Sequence, residues 1–241
     1  MPFGRLAIGL RDDDPPFPSD RMNASPAQEK AALARLGAAV SKRLEADPAA
    51  HRVAVDKAQI FTVGAFLSEQ ECAHLIAMID RVAQPSRTYA GGEDKTRTSY
   101  SGDVDPHDSF VRMIERRLCD LLGIDGAWGE TVQGQRYEPG QEFHAHYDWF
   151  DTKAAYWPDE VRHGGQRSWT AMAYLNDMEE GGATCFPLLG LSVQPQAGAL
   201  LIWNNMLPEG IPNPDVRHAA LPVVSGVKYV ITKWFRTRPW G

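Results

Sequence analysis

The stretch Gly129-Glu-Thr-Val-Gln-Gly-Gln-Arg-Tyr137-Glu-Pro-Gly-Gln141-Glu-Phe-His-Ala-His-Tyr-Asp148 decides how the rest of the chain is read. Two short runs, 129–137 and 141–148, flank a turn signal at Pro139-Gly140. The same format recurs downstream at 168–175, 182–186, 198–203, 216–222 and 227–236, with Val, Tyr, Trp and Thr in the runs and Gly, Pro and Asn between them. Many short strands separated by turns predict a barrel or a sandwich.

Upstream of Gly126 the pattern is helical. Ser25 as N-cap, Pro26 at the first helical position and Gln28 closing a capping box start a helix that runs to about Ala46. Its stripe of Leu33, Leu36, Val40 and Leu44 serves either packing or a homodimer through this helix. Residues 57–63 read as a strand. Ser68 and Glu71 form a second capping box, with Leu67 as a staple, for a helix over 68–83 that buries Cys72, Leu75, Ile76, Ile79 and Val82. A third helix, 106–122, opens at Asp105-Pro106 and stops at Gly123. The chain therefore divides into an N-terminal arm and helical extension (1–55) and a main domain (56–241). The expected class is α+β, mainly β, with helices backing the strands.

Composition sets the outer limits. The chain has 241 residues, 25 Lys plus Arg against 31 Asp plus Glu, and 43% hydrophobic residues. That is a globular composition, long enough to bury a core. No stretch reaches the ~18 apolar residues of a membrane span. The first 17 residues lack the apolar run of a secretory signal, and three separated cysteines fit a reducing compartment. The expected location is the cytoplasm. A net charge of −6 argues against a nucleic-acid partner, which calls for a basic surplus.

The chemistry concentrates in the opening stretch. Alternate strand residues share a face, so His144, His146 and Asp148 project together. A His and a carboxylate two apart can grip one metal ion, with His218 as the outstanding third candidate. Two His and one carboxylate leave open positions on the metal, the pattern of non-haem Fe(II) oxygenases. On the last strand, alternation places Lys228, Val230, Thr232, Trp234 and Arg236 on one face. A buried Lys is costly unless it meets an anion. A dicarboxylate that chelates the metal at one end and pairs with Lys228 at the other satisfies both sites.

These residues resemble the 2-oxoglutarate- and Fe(II)-dependent dioxygenases, and within them the prolyl 4-hydroxylase branch. The resemblance runs from about 58 to 236. It includes Phe66-Leu-Ser-Glu-Gln-Glu-Cys72, Arg97-Thr-Ser99, Tyr137-Glu-Pro-Gly-Gln141, His146-Tyr-Asp148, Gln166-Arg167, Tyr174 through Pro187, Gly198 through Trp203, His218 and Gly226-Val-Lys228 through Trp234. It implies a double-stranded β-helix, a cupin-like jelly roll, backed by the N-terminal helices. By position it makes His146, Asp148 and His218 the catalytic iron ligands. It assigns Lys228 to the distal carboxylate of 2-oxoglutarate, with Tyr137, Tyr174 and Thr184 around the cosubstrate. Arg167 and Trp234 match positions that hold the peptide. The implied cosubstrates are 2-oxoglutarate and O₂, with ascorbate as reductant and a proline-containing peptide or protein as substrate. Three features depart from the pattern: His144, Arg236 where some relatives have His, and a long connection over 151–165.

The leading expectation is hydroxylation of a peptidyl proline at C4, with succinate and CO₂ as co-products. A hydroxylase of a free amino acid is the second reading. A non-catalytic metal-binding jelly-roll sensor is the third.

Overall fold

The computed structural model describes residues 25–86 and 96–241, so the arm expected over 1–24 lies outside the described residues. Helix α1 (Pro26–Ala46) is followed by strands β1 (Ala50–Arg52) and β2 (Ile60–Val63), then α2 (Glu69–Val82). Short strands β3 (Gln84–Pro85) and β4 (Tyr100–Asp103) precede α3 (Ser109–Leu122). Then come β5 (Gln133–Tyr137), β6 (Phe143–His146), the short helix α4 (Trp157–Arg162) and β7 (Arg167–Tyr174). The remainder is β8 (Glu180–Gly181), β9 (Thr184–Phe186), β10 (Leu191–Val193), β11 (Leu200–Asn204), β12 (His218–Ala220), β13 (Val223–Ser225) and β14 (Lys228–Arg236).

Eight strands form one sheet in the order β1-β2-β11-β7-β14-β5-β4-β3. Four more form a second sheet, β10-β9-β12-β6, and β13 pairs with β8. The central pairings are antiparallel. Alternation along each central strand gives the large sheet two buried faces. Trp169, Ala171, Ile202, Ile231 and Phe235 face the helices with Val40, Leu75, Ile79, Ile114 and Leu118. Met172, Tyr174, Leu201, Trp203 and Val230 face the small sheet with Phe186. The site lies on this second face, between the sheets.

Both expected capping boxes form. The Ser25 amide donates to Gln28 Oε1 and the Gln28 amide to Ser25 Oγ; Ser68 and Glu71 do the same for α2. The stripe on α1 is spent inside the chain, because Leu33, Val40 and Leu44 are buried and the last two join the helix-side core. The helix therefore packs on its own fold, and that stripe is not left for a second copy. Replacing the fully buried Leu44 by Ala should lower stability by about 2–5 kcal/mol through the cavity it leaves. A thermal unfolding midpoint within a degree of wild type would show that α1 is not integral to the core.

The third helix begins later than expected. Asp108, not Asp105, is its N-cap and accepts from the Phe110 and Val111 amides. Asp105 is used in a local turn instead, accepting from the His107 amide. Gly123 ends the helix at φ 70°, where a side chain would be strained. Gly134 on β5 has a different role: a Cβ there would overlap Ile79 of α2, so its absence lets the helix sit close on the sheet.

Candidate active site

Strand pairing builds the centre. β6 and β12 are neighbours, and His146 and His218 are direct partners across them. Asp148 lies two residues beyond the end of β6 and turns back toward both rings. His146 Nε2 is 3.8 Å from Asp148 Oδ1, and His218 Nε2 is 3.8 Å from Asp148 Oδ2. The three ligand atoms all lie within 4.8 Å of one another, and this is the one such cluster of three or more among the described residues.

The ring orientations are set by the backbone. His146 Nδ1 lies 2.8 Å from the His144 carbonyl, and His218 Nδ1 lies 3.0 Å from that of Val216. A carbonyl only accepts, so in each neutral ring Nδ1 carries the proton and Nε2 presents its lone pair. Phe143 stacks on His146 at 3.6 Å, while Trp203 and Phe186 pack on His218 at 4.8 and 5.5 Å. Burial and the neighbouring His218 push His146 down to about 3, which keeps it neutral. Burial pushes the Asp148 carboxyl up. The two imidazoles, Arg167 and a hydrogen bond from Thr170 (2.7 Å) outweigh it and hold Asp148 below the usual carboxylate range. Two aimed nitrogen lone pairs and an ionised carboxylate are a donor set that fits Fe(II).

Lys228 occupies the floor of the same pocket. It is 1% exposed, and among the described residues no carboxylate lies within ion-pair distance of it. Its Nζ sits 5.2 Å from the centre of the Tyr137 ring, its cross-strand partner, and 5.7 Å from that of Tyr174. Desolvation pushes its ammonium down to about 7. Tyr174 donates to Thr184 Oγ1 at 2.8 Å, and Tyr137 to Gln135 Oε1 at 2.8 Å. Burial raises both phenols, so they stay protonated donors. A buried cation flanked by two aromatic faces fits one carboxylate of a small dianion.

The structure distributes the other predicted residues unevenly. Trp234 lines the pocket, as do Val230 and Thr232, in agreement with the alternation on β14. Arg236 does not: it lies beyond the pocket's end beside Arg167, with both guanidiniums over the Phe150 ring. It is buried instead in an ion-pair network with Glu130 (2.6 Å) and Glu160 of α4 (2.8 Å). Arg167 shares Glu130 through two bonds of 2.6 and 2.7 Å, and its guanidinium covers the Trp234 ring at 4.1 Å. It therefore braces a pocket wall. Glu160 and α4 lie in the long 151–165 connection, so that segment is tied to the strands.

His144 corrects an expectation. Its exposed side chain points away from the pocket and meets Glu142 at 3.3 Å, and only its carbonyl serves the centre. Sequence reasoning missed Arg97, Gln135, Phe143 and Thr170. Arg97 lines the pocket, stacks on Phe143 at 4.8 Å and bonds Ser99 and Gln133. The available signal for it was an Arg beside the Thr-Ser pair of a segment already singled out.

Comparison with known proteins agrees with this geometry. The family model described as the 2OG-Fe(II) oxygenase superfamily matches residues 132–236. Probable prolyl 4-hydroxylase 3 of Arabidopsis thaliana is 33% identical over 195 residues, covering 70% of this chain and 66% of the relative. Probable prolyl 4-hydroxylase 10 of the same plant is 32% identical over 201 residues, covering 73% and 68%. The chain thus spans about two thirds of the length of these relatives. A viral collagen prolyl hydroxylase from Paramecium Bursaria Chlorella virus-1, solved as a 2OG complex, superposes with a TM-score of 0.59 at 29% identity, covering 73% of this chain and 95% of its own.

Proposed function

We propose that this chain, which belongs to the 2-oxoglutarate/Fe(II) oxygenase superfamily and to its prolyl 4-hydroxylase-like branch, hydroxylates C4 of proline within a peptide or protein. The observation that carries this reading is the buried, carboxylate-free Lys228 facing the same pocket as the two aimed imidazoles and Asp148. Its two main sheets are read as the two faces of a double-stranded β-helix with the site between them.

His146, Asp148 and His218 would hold the metal, and Lys228, Tyr137, Tyr174 and Thr184 would hold the cosubstrate. Fe(II) bound there, with 2-oxoglutarate and O₂, supplies the oxidising power that places one oxygen on a C–H carbon while the other enters succinate, with loss of CO₂. Ascorbate serves as the reductant that keeps the metal ferrous. The protein's own part is positional. Trp234, Phe143 and Arg97 form the wall against which a proline ring is held, and Arg167 with Glu130 keeps Trp234 in place. Phe186, Trp203 and Met172 exclude water from the ligands.

The charges favour a peptide over a free amino acid. A free amino acid needs an anion for its ammonium as well as a cation for its carboxylate. Among the described lining residues the only carboxylate is Asp148, which is committed to the metal. An acylated proline nitrogen carries no charge and requires no such partner. Incubation of proline-rich peptides with Fe(II), 2-oxoglutarate and ascorbate should add one oxygen per modified proline, read by mass spectrometry alongside succinate release. Oxygen appearing on free proline and on none of the peptides would transfer the reading to the small-molecule class.

A further inference from the structure

We infer that Thr170 and Asn205 form a relay that orients Asp148 for metal binding without touching the metal. The inference rests on the reading of His146, Asp148 and His218 as iron ligands. Thr170 sits mid-strand on β7, fully buried, with Trp203 and Trp234 as its partners on β11 and β14. Both tryptophans line the pocket, so an apolar frame surrounds the hydroxyl.

Thr170 Oγ1 makes two bonds, one with Asp148 Oδ2 at 2.7 Å and one with Asn205 Nδ2 at 2.9 Å. A hydroxyl carries one proton. An ionised carboxylate only accepts and an amide nitrogen only donates, so the polarity is fixed. Thr170 gives its proton to Asp148 and receives one from Asn205. The other end of Asn205 is unusual: Oδ1 is buried and has no hydrogen-bond partner among the described residues. Turning the amide over would set Oδ1 against Thr170 Oγ1, where it would compete with Asp148 for the single proton. The fold accepts an orphan acceptor, normally a costly feature, in the one orientation that leaves that proton on the carboxylate.

The consequence falls on Asp148. Oδ2 is engaged by Thr170, while no protein hydrogen bond reaches Oδ1 among the described residues. The two oxygens are therefore unequal. A carboxylate held through one oxygen offers the other as a single donor, which leaves more of the metal's positions for cosubstrate and O₂. Thr170 and Asn205 are positioning residues in this scheme. Neither stands out in the sequence, since Thr suits any strand interior and Asn205 lies 57 positions from Asp148.

The test uses Co(II), a spectroscopic stand-in, titrated into the metal-free full chain. Thr170→Val preserves the shape and removes the hydroxyl; it should weaken Co(II) binding about 10–100-fold and change the visible absorption of the bound ion. Thr170→Ser restores the hydroxyl and should recover both. Were Thr170→Val less stable, the rise in its unfolding midpoint on adding Co(II) would report the same comparison. A Thr170→Val protein with wild-type affinity and spectrum overturns the relay. A wild-type chain that takes up no Co(II) overturns the iron-site reading itself, a different result from the first.

Discussion

His146→Ala abolishes Fe(II)-dependent succinate release, with metal affinity falling by more than ~100-fold, while His144→Ala leaves both near wild type. The two imidazoles are two positions apart on one strand, and the contrast follows from where each ring goes. His146 stacks on Phe143, lies tilted against His218 and turns its Nε2 toward Asp148. With its proton affinity pushed down to about 3, no proton competes with the metal for Nε2 at neutral pH. Alanine removes one of three donors and leaves Asp148 and His218 facing an uncompensated gap. His144 contributes to the centre through its carbonyl, which alanine retains, and its exposed ring meets only Glu142. Anaerobic Fe(II) titration and a succinate assay separate the cases. Unchanged turnover in His146→Ala would sink the ligand assignment.

The sequence and the fold agree where chemistry is local and part ways where it is long-range. The seven strand runs from 129 onward each overlap an observed strand, because Val, Tyr, Trp and Thr between turn residues leave little other choice. The caps at Ser25 and Ser68 form because a capping box closes within four residues. Strands β1, β3, β4, β8, β10 and β13 carry no such signal. They are two to four residues long, and Tyr100-Ser-Gly-Asp103 pairs because β5 lies beside it, not because of its own propensity. The candidate ligands His146, Asp148 and His218 could be read from residue type, as could Lys228 as the candidate anion partner, since few side chains suit those tasks. The bracing network could not. Glu130, Glu160, Arg167 and Arg236 meet across up to 106 positions and only after α4 has folded over the strand ends. Alternation alone does not say where a pocket ends: Arg236 follows Trp234 along β14 yet reaches Glu130 and Glu160, beyond the residues that line the pocket.

Lys228→Met raises the 2-oxoglutarate requirement by about 10²–10³-fold and leaves metal affinity close to wild type. Truncating one partner of a buried charge pair costs about 2–5 kcal/mol, and Met preserves the length and packing of the stem between Tyr137 and Tyr174. A loss of metal affinity with an unchanged cosubstrate requirement would refute the role. The same residue makes binding depend on pH in a definite direction. In the ligand-free protein the ammonium is depressed from 10.5 to about 7 by burial. Between those values the unfolded chain holds a proton that the folded chain has released, so this group makes the fold more stable as pH rises through the window. Cosubstrate binding runs the other way. A dicarboxylate pairs with the charged form, so above pH 7 it must draw a proton onto Lys228 and its apparent affinity should fall about tenfold per pH unit. Calorimetry at pH 8 in two buffers of different ionisation enthalpy should record uptake of close to one proton per 2-oxoglutarate bound in wild type and none from this site in Lys228→Met. The same Lys228→Met substitution removes the need to bury a charge, so below pH 7 the ligand-free variant should unfold at a higher temperature than wild type.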